Sequence, residues 1–157
     1  MSQDVLDSNI VHHILSRSYS VYFFSVMAGM IMGTIFADRF AFMFYREIGL
    51  FVMVVGTLFI YWAQSTSGKS KKQALATNTP RNFARGPYKI TRNPTHIGLA
   101  MLTIGFGFVS GSFFILFFSI LAFLTSKIVF LPAEEKVLEQ KYGQEYLDYK
   151  KKVRSWL

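Results

Sequence analysis

The stretch from Ile97 to Leu131, IGLAMLTIGFGFVSGSFFILFFSILAFLTSKIVFL, holds a single charged residue, Lys127, and its reading decides the fold class. It is too long for one ordinary crossing of a bilayer core, which takes about 20 apolar residues. Ser110-Gly111-Ser112 near its middle is a small-residue turn signal. The pattern predicts a tight helical hairpin over 94–131. Its first helix is long enough only if it begins at Pro94, and its second runs from Phe113 to Leu131, with the stem of Lys127 carrying its ammonium to the interface. Outward from the hairpin, Ser20 to Ala37 and Ile48 to Gln64 contain no Asp, Glu, Lys or Arg and read as two further spans. The expectation is an all-α integral membrane protein of about four transmembrane helices, the last two a hairpin, in one domain over residues 1–157.

Two amphipathic segments flank the spans. Val5, Leu6, Ile10, Val11, Ile14 and Leu15 repeat at helical spacing before the first span, and Leu138, Tyr142, Tyr146, Tyr149, Val153 and Trp156 do so over 132–157. The first set reads as an interfacial helix, with His12 and His13 at the interface. For the second, a helix on the membrane surface and a helix that closes a site are both open. The Ser65 to Thr79 stretch, rich in Ser, Thr, Gly and Lys, reads as a flexible part of a basic loop over 65–95.

The 157 residues carry 17 Lys+Arg against 9 Asp+Glu, and 52% are hydrophobic, which excludes a disordered chain. Lys and Arg number one before the first span, two in Asp38 to Glu47, seven in Ser65 to Thr95 and seven from Lys127 onward. By the positive-inside rule both termini and the 65–95 loop face the cytoplasm. Acidic Asp4 and Asp7 precede the first apolar run and no small-x-small site closes it, so it reads as a retained span rather than a cleaved signal. The chain has no cysteine, which removes disulfides, thiolate metal sites and thiol nucleophiles together. No nucleotide-binding glycine fingerprint follows a strand pattern. The basic loop has few aromatics on which bases could stack, so anionic lipid, not nucleic acid, is its expected counterpart.

The first two spans offer no ionisable group at membrane depth, which argues against a transporter. Polar residues converge instead at the expected cytoplasmic end of the hairpin. Asn93-Pro94 combines a favoured N-cap with a favoured first helical residue, so it should open the third span with its free amides toward the cytoplasm. Arg92 beside that helix end makes an anion receptor, for a ligand's carboxylate or phosphate or for lipid headgroups. Glu134-Glu135 follows Pro132 and so is expected in the first turn of a C-terminal helix. There the macrodipole accounts for one acid as readily as two, and a bound cation accounts for the pair. His96 has no second ligand at metal spacing, so no metal site is expected and a hydrogen-bonding or proton-accepting role remains. Gly105 and Gly107 read as close helix-packing positions, while Gly98 is a place where a ligand could approach the backbone.

Gly86-Pro87-Tyr88, Arg92-Asn93-Pro94-Thr95-His96-Ile97-Gly98, Glu134-Glu135 and the run from Leu138 through Tyr142-Gly143, Tyr146, Tyr149 and Val153 stand in an order and spacing that resembles the isoprenylcysteine carboxyl methyltransferase family, including its bacterial members, and more distantly the phospholipid N-methyltransferases. The resemblance spans Gly86 to Leu157. His96 departs from it, standing where the pattern usually has Tyr. The resemblance implies methyl transfer from S-adenosylmethionine to a lipophilic or lipidated acceptor at the cytoplasmic face of a bacterial plasma membrane, with a carboxylate such as isoprenylcysteine's as the first expectation and a phospholipid amine as the second. Under it, Arg92 and His96 are the expected catalytic residues. Tyr88, Asn93, Pro94, Gly98, Glu134 and Glu135 are expected to hold the cofactor. A silent protein that keeps the fold to bind lipid or a partner is the competing class.

Overall fold

A computed structural model describes residues 3–37, 45–77 and 83–156. The elements in chain order are α1 (Gln3–Ile35), α2 (Tyr45–Thr77), a 3₁₀ turn (Gly86–Lys89), α3 (Pro94–Ser110), α4 (Phe113–Thr125), a π turn (Ser126–Phe130), α5 (Leu131–Tyr142) and α6 (Gln144–Lys152). Three helical stretches, Arg17–Ile35, Tyr45–Lys69 and Phe113–Tyr142, are long and apolar enough to cross a membrane. The fourth apolar helix, α3, has 17 residues, roughly 25 Å at the α-helical rise and so at the short end of the spanning range. Phe23, Phe24, Ile31, Phe51, Val54, Leu58, Phe117 and Ile120 stand exposed on the outer faces. A protein that turns such large side chains outward along whole helices has lipid as its solvent. The chain is an all-α integral membrane protein.

The hairpin forms as its sequence predicts. α3 begins at Pro94 and ends at Ser110, and Gly111 takes the left-handed conformation (φ 64°, ψ 32°) that a side chain would disfavour. Ser112 then caps α4, its Oγ accepting from the Ile115 amide. In cross-section the helices run α2, α3, α4, α1, with α1 also touching α3 through Tyr22 against Ala100.

Three boundaries differ from the sequence reading. The amphipathic segment at the N-terminus is no separate surface helix: α1 runs unbroken from Gln3 into the span, although the side chains of 3–16, including His12 and His13, lie outside the described residues. The 65–95 loop is shorter than expected, because α2 continues through its Lys- and Ser-rich end to Thr77. Nothing apolar is needed to extend an existing helix into water, since each added residue fixes one more hydrogen bond without a new nucleus. The residues 38–44 of the expected external loop lie outside the described residues.

The largest correction concerns 132–157. Pro132 does not start a new helix. A proline inside a helix lacks its own amide donor and crowds the carbonyl four residues back. Here the backbone widens just ahead of it into the π turn, with Leu131 N–H reaching back to Ser126 O, and the helix passes through. Thus α4, the π turn and α5 form one rod. The break comes at Gly143 (φ 53°, ψ −128°), after which α6 folds back. The aromatic stripe of this segment is not laid on lipid: Tyr146, Tyr149 and Val153 are buried against Phe83, Ala84, Tyr88, Leu138 and Tyr142. Trp156 leaves the stripe to pack edge-on against Phe123, with the Lys127 ammonium over its indole.

Candidate active site

Everything that decides this site lies where the start of α3 meets α5. Asn93 occupies the N-cap position and Pro94 the first helical residue, yet the Asn93 side chain makes no capping bond. Its Nδ2 donates instead to the Ser155 carbonyl at 3.0 Å and to Ser155 Oγ at 3.1 Å. Thr91 Oγ1 donates to the same Ser155 carbonyl at 2.9 Å, and the Arg92 amide donates to Arg154 O at 3.0 Å. The C-terminal tail is therefore strapped over the entry to α3, and Asn93 holds the strap rather than a ligand.

His96 is 2% exposed, one turn into α3. Its Nδ1 lies 3.2 Å from Ser18 Oγ of α1, and its Nε2 lies 3.2 and 3.4 Å from the two oxygens of Glu134 on α5. Arg92 directs Nη2 at Glu135 Oε1, 3.2 Å away, and Glu135 Oε2 takes the Lys150 ammonium at 2.9 Å. Lys150 also bonds Glu139. The two neighbouring glutamates are thus unlike. Glu135 is held between two cations of the chain, whereas Glu134 has His96 behind it. Since α5 has no free N-terminus, the macrodipole no longer explains either acid. The π turn matters here too: one extra residue in a helical turn rotates everything beyond it by about 100°, and Glu134 and Glu135 follow within nine residues of its start.

Two donors of the Arg92 guanidinium, Nε and Nη1, are buried with no partner although the side chain is only 9% exposed. Leaving such donors dry costs about 1–3 kcal/mol or more for a charged group, so this edge has the chemistry of an anion receptor. Beside it, Tyr19 of α1 hydrogen-bonds Gln64 of α2 and faces both Glu134 and Tyr88. Tyr88 is fixed in turn, its carbonyl accepting from Tyr149 Oη at 2.8 Å. Burial, and then the nearby Glu135 charge, pushes the Tyr146 phenol up to about 12, and burial raises Tyr149 as well. Hydrogen bonds to Glu139 and Glu135 raise Lys150.

Arg92, His96, Glu134 and Glu135 therefore come together, with Tyr88 nearby. Gly98 does not join them as a ligand position. A Cβ there would meet Ile60 Cγ1 at 2.5 Å and Gly56 O at 2.9 Å, so its bare backbone serves the packing of α3 on α2. Ser18, Tyr19, Gln64 and Lys150 are the participants that sequence reasoning missed. No short-range pattern marks them, since Ser18 meets His96 across 78 positions. Among the described residues no group of three or more His, Asp or Glu is arranged to hold a metal ion.

The family model for phospholipid methyltransferases matches residues 40–145. The chain belongs to that family, and so to the membrane-embedded methyltransferases. The match takes in α2, which the motif resemblance had left out, and it ends before α6. No curated protein and no solved structure matches the chain.

Proposed function

We propose that the protein methylates the amine of a phospholipid headgroup, using S-adenosylmethionine, at the cytoplasmic face of a bacterial plasma membrane with both termini on that side. The observation that carries this reading is the buried His96–Glu134 pair beside an Arg92 already held by Glu135. An amine acceptor must shed a proton before its lone pair can attack, and a carboxylate backed by an imidazole is suited to take it. A carboxylate acceptor has no such need.

The residues fit the cofactor. The dry edge of Arg92 matches a carboxylate, Glu134 matches an ammonium or sulfonium, and the Tyr88 ring adds a π face for a cation. When bound, S-adenosylmethionine supplies an electrophilic methyl group on a positively charged sulfur. The acceptor nitrogen gives its proton to Glu134, with His96 stabilising the change at Nε2. The freed lone pair then forms the nitrogen–carbon bond while the carbon–sulfur electrons return to sulfur. Tyr19 and the Gln64 bond that fixes it narrow the space between α1 and α2, which keeps water from the nitrogen and favours alignment.

A second reading keeps a carboxylate acceptor, as in isoprenylcysteine. It is favoured by the order of motifs from Gly86 to Leu157 and by the same open edge of Arg92, which can orient a carboxylate nucleophile. The test is turnover by purified protein with S-adenosylmethionine in vesicles of phosphatidylethanolamine, against the same vesicles of phosphatidylcholine carrying a prenylcysteine analogue. Methylation in the first set alone supports the amine, and in the second alone the carboxylate. Calorimetry that detects no cofactor binding would favour a silent lipid- or partner-binding protein. Reporters after Leu157 and near Gly68 should both read cytoplasmic, and opposite readings would remove the orientation.

A further inference from the structure

Ser18 lies on α1, outside the 40–145 region that matches the family, and is fully buried. A serine inside a helix ordinarily returns its hydroxyl to a carbonyl one turn back. Here the hydroxyl lies 3.2 Å from His96 Nδ1. The other ring nitrogen faces Glu134, and a carboxylate only accepts, so Nε2 is the atom that carries the hydrogen. In a neutral imidazole Nδ1 is then an acceptor, and it requires a donor in a place with no water. Of the groups around the ring, Glu134 comes from α5, Arg92 from the entry to α3 and Ser18 from α1, and Ser18 alone approaches Nδ1.

Resting on the proposed function, we propose that Ser18 is a positioning residue that donates to His96 Nδ1 and thereby holds the imidazole in the tautomer that presents Nε2–H to Glu134. Without that donor the opposite tautomer becomes accessible. It would put a lone pair against the carboxylate and turn Glu134 away from the acceptor nitrogen. The orientation of a ring nitrogen by the bond its partner nitrogen makes is a general property of histidine sites. Because His96 stands where related sequences usually have Tyr, this requirement belongs to the chain itself, and α1 supplies the group that answers it.

The test uses full-length protein in detergent micelles, labelled with nitrogen-15 at histidine and assigned to His96 through a His96→Gln variant. The unmodified protein should show an unprotonated Nδ1 and a protonated Nε2. Ser18→Ala should shift the ring toward a mixture of tautomers. It should also lower kcat about tenfold to a hundredfold, the scale of a displaced acid–base group, while KM for S-adenosylmethionine stays within about twofold. Ser18→Thr, which keeps the hydroxyl, should restore both the spectrum and kcat. If Ser18→Ala does not fold, Ser18→Cys carries the same expectations, with a far weaker donor in the same volume. An unchanged His96 spectrum in the variant lacking the donor overturns the inference. So does a spectrum that changes equally in the Thr variant. The spectrum reads the tautomer whether or not any acceptor is methylated, so failure of the methyltransferase reading shows separately, as absent turnover in the unmodified protein.

Discussion

α3 meets its neighbours in two contrasting ways. Toward α2 it presents Gly98 and Gly105, which face Gly56 and Gly49 so closely that each glycine's absent Cβ would sit 2.7–2.9 Å from the carbonyl oxygen of its opposite. Toward α1 and α5 its entry presents His96 and Arg92, which meet Ser18, Glu134 and Glu135 in a connected polar cluster. Lipid tails are as apolar as the helices, so no hydrophobic force drives the first contact, and it relies on close packing of bare backbone. The second contact relies on charges withdrawn from water, each of which needs its partner. The α2 side should therefore tolerate changes of chemistry but not of volume. The α5 side should tolerate small changes of volume but not of charge.

The widest separation should appear between the two neighbouring glutamates. Glu134→Gln keeps a carbonyl oxygen for His96 Nε2 but removes the proton acceptor, so kcat should fall on the order of a hundredfold to ten-thousandfold with the melting temperature nearly unchanged. Glu135→Gln should do the reverse. It leaves the buried Arg92 guanidinium without its counter-ion, and breaking one side of a buried pair costs about 3–5 kcal/mol. Turnover and thermal melts of both variants decide this, and equal behaviour of the two would dissolve the distinction drawn between them.

On the glycine side, Gly105→Ala places a methyl 2.7 Å from Gly49 O, an atom of backbone that cannot swing away. Overpacking of this kind costs about 1–3 kcal/mol. The variant should melt lower while the folded fraction keeps its full turnover, because the contact lies two turns of helix away from His96. Loss of turnover per folded molecule would mean that the two faces of α3 are coupled.

The same division marks what the sequence shows. Helix number, the start at Pro94 and the turn at Gly111 follow from apolar run length and from residues whose backbone preference is local. The site is legible in part, because Arg92, His96, Glu134 and Glu135 are polar groups at the ends of apolar runs. Its wiring is not legible. Pro132 reads as a helix start, since in most settings a proline ends what precedes it, and only the π turn lets α4 pass into α5. Asn93 reads as a cap, but the tail at Ser155 competes for its amide from 62 positions away. The polar end of α2 reads as a loop because amphipathic pattern carries no information once a helix leaves its partners.

A smaller effect should come from the hinge between α5 and α6. Gly143 has nothing within 4 Å of a Cβ position, so Gly143→Ala adds strain without a clash. Its positive φ with ψ −128° is costly for an L side chain, about 1–3 kcal/mol, of which a loop end in water relaxes part. The expected loss is about 1 kcal/mol in the melt, with the Tyr146–Tyr149–Val153 cluster still formed. A loss well above that would mean that α6 is docked as rigidly as the membrane helices.

The smallest effect separates the polar cluster's buried core from its rim. Lys150 reaches Glu135 and Glu139 from a side chain that is 37% exposed, so water and salt screen it. Lys150→Gln should cost under about 1 kcal/mol, far less than Glu135→Gln, even though both changes touch the same carboxylate. The hydrogen bonds to Glu139 and Glu135 raise the folded Lys150 above its ordinary 10.5. A raised pKa means that the folded state holds the proton more tightly, so the ammonium's contribution is complete below pH 10.5 and disappears as pH rises through the higher folded value. Tyr146 and Tyr149 also titrate in that alkaline range and weaken the fold there, but they do so in both proteins and cancel in the difference. The gap in melting temperature between unmodified protein and Lys150→Gln should thus be present at pH 8 and low salt, shrink in high salt, and close as the pH is raised above the folded Lys150 value. A gap that widens with pH would mean that Lys150 supports Glu135 through packing of its stem and not through its charge.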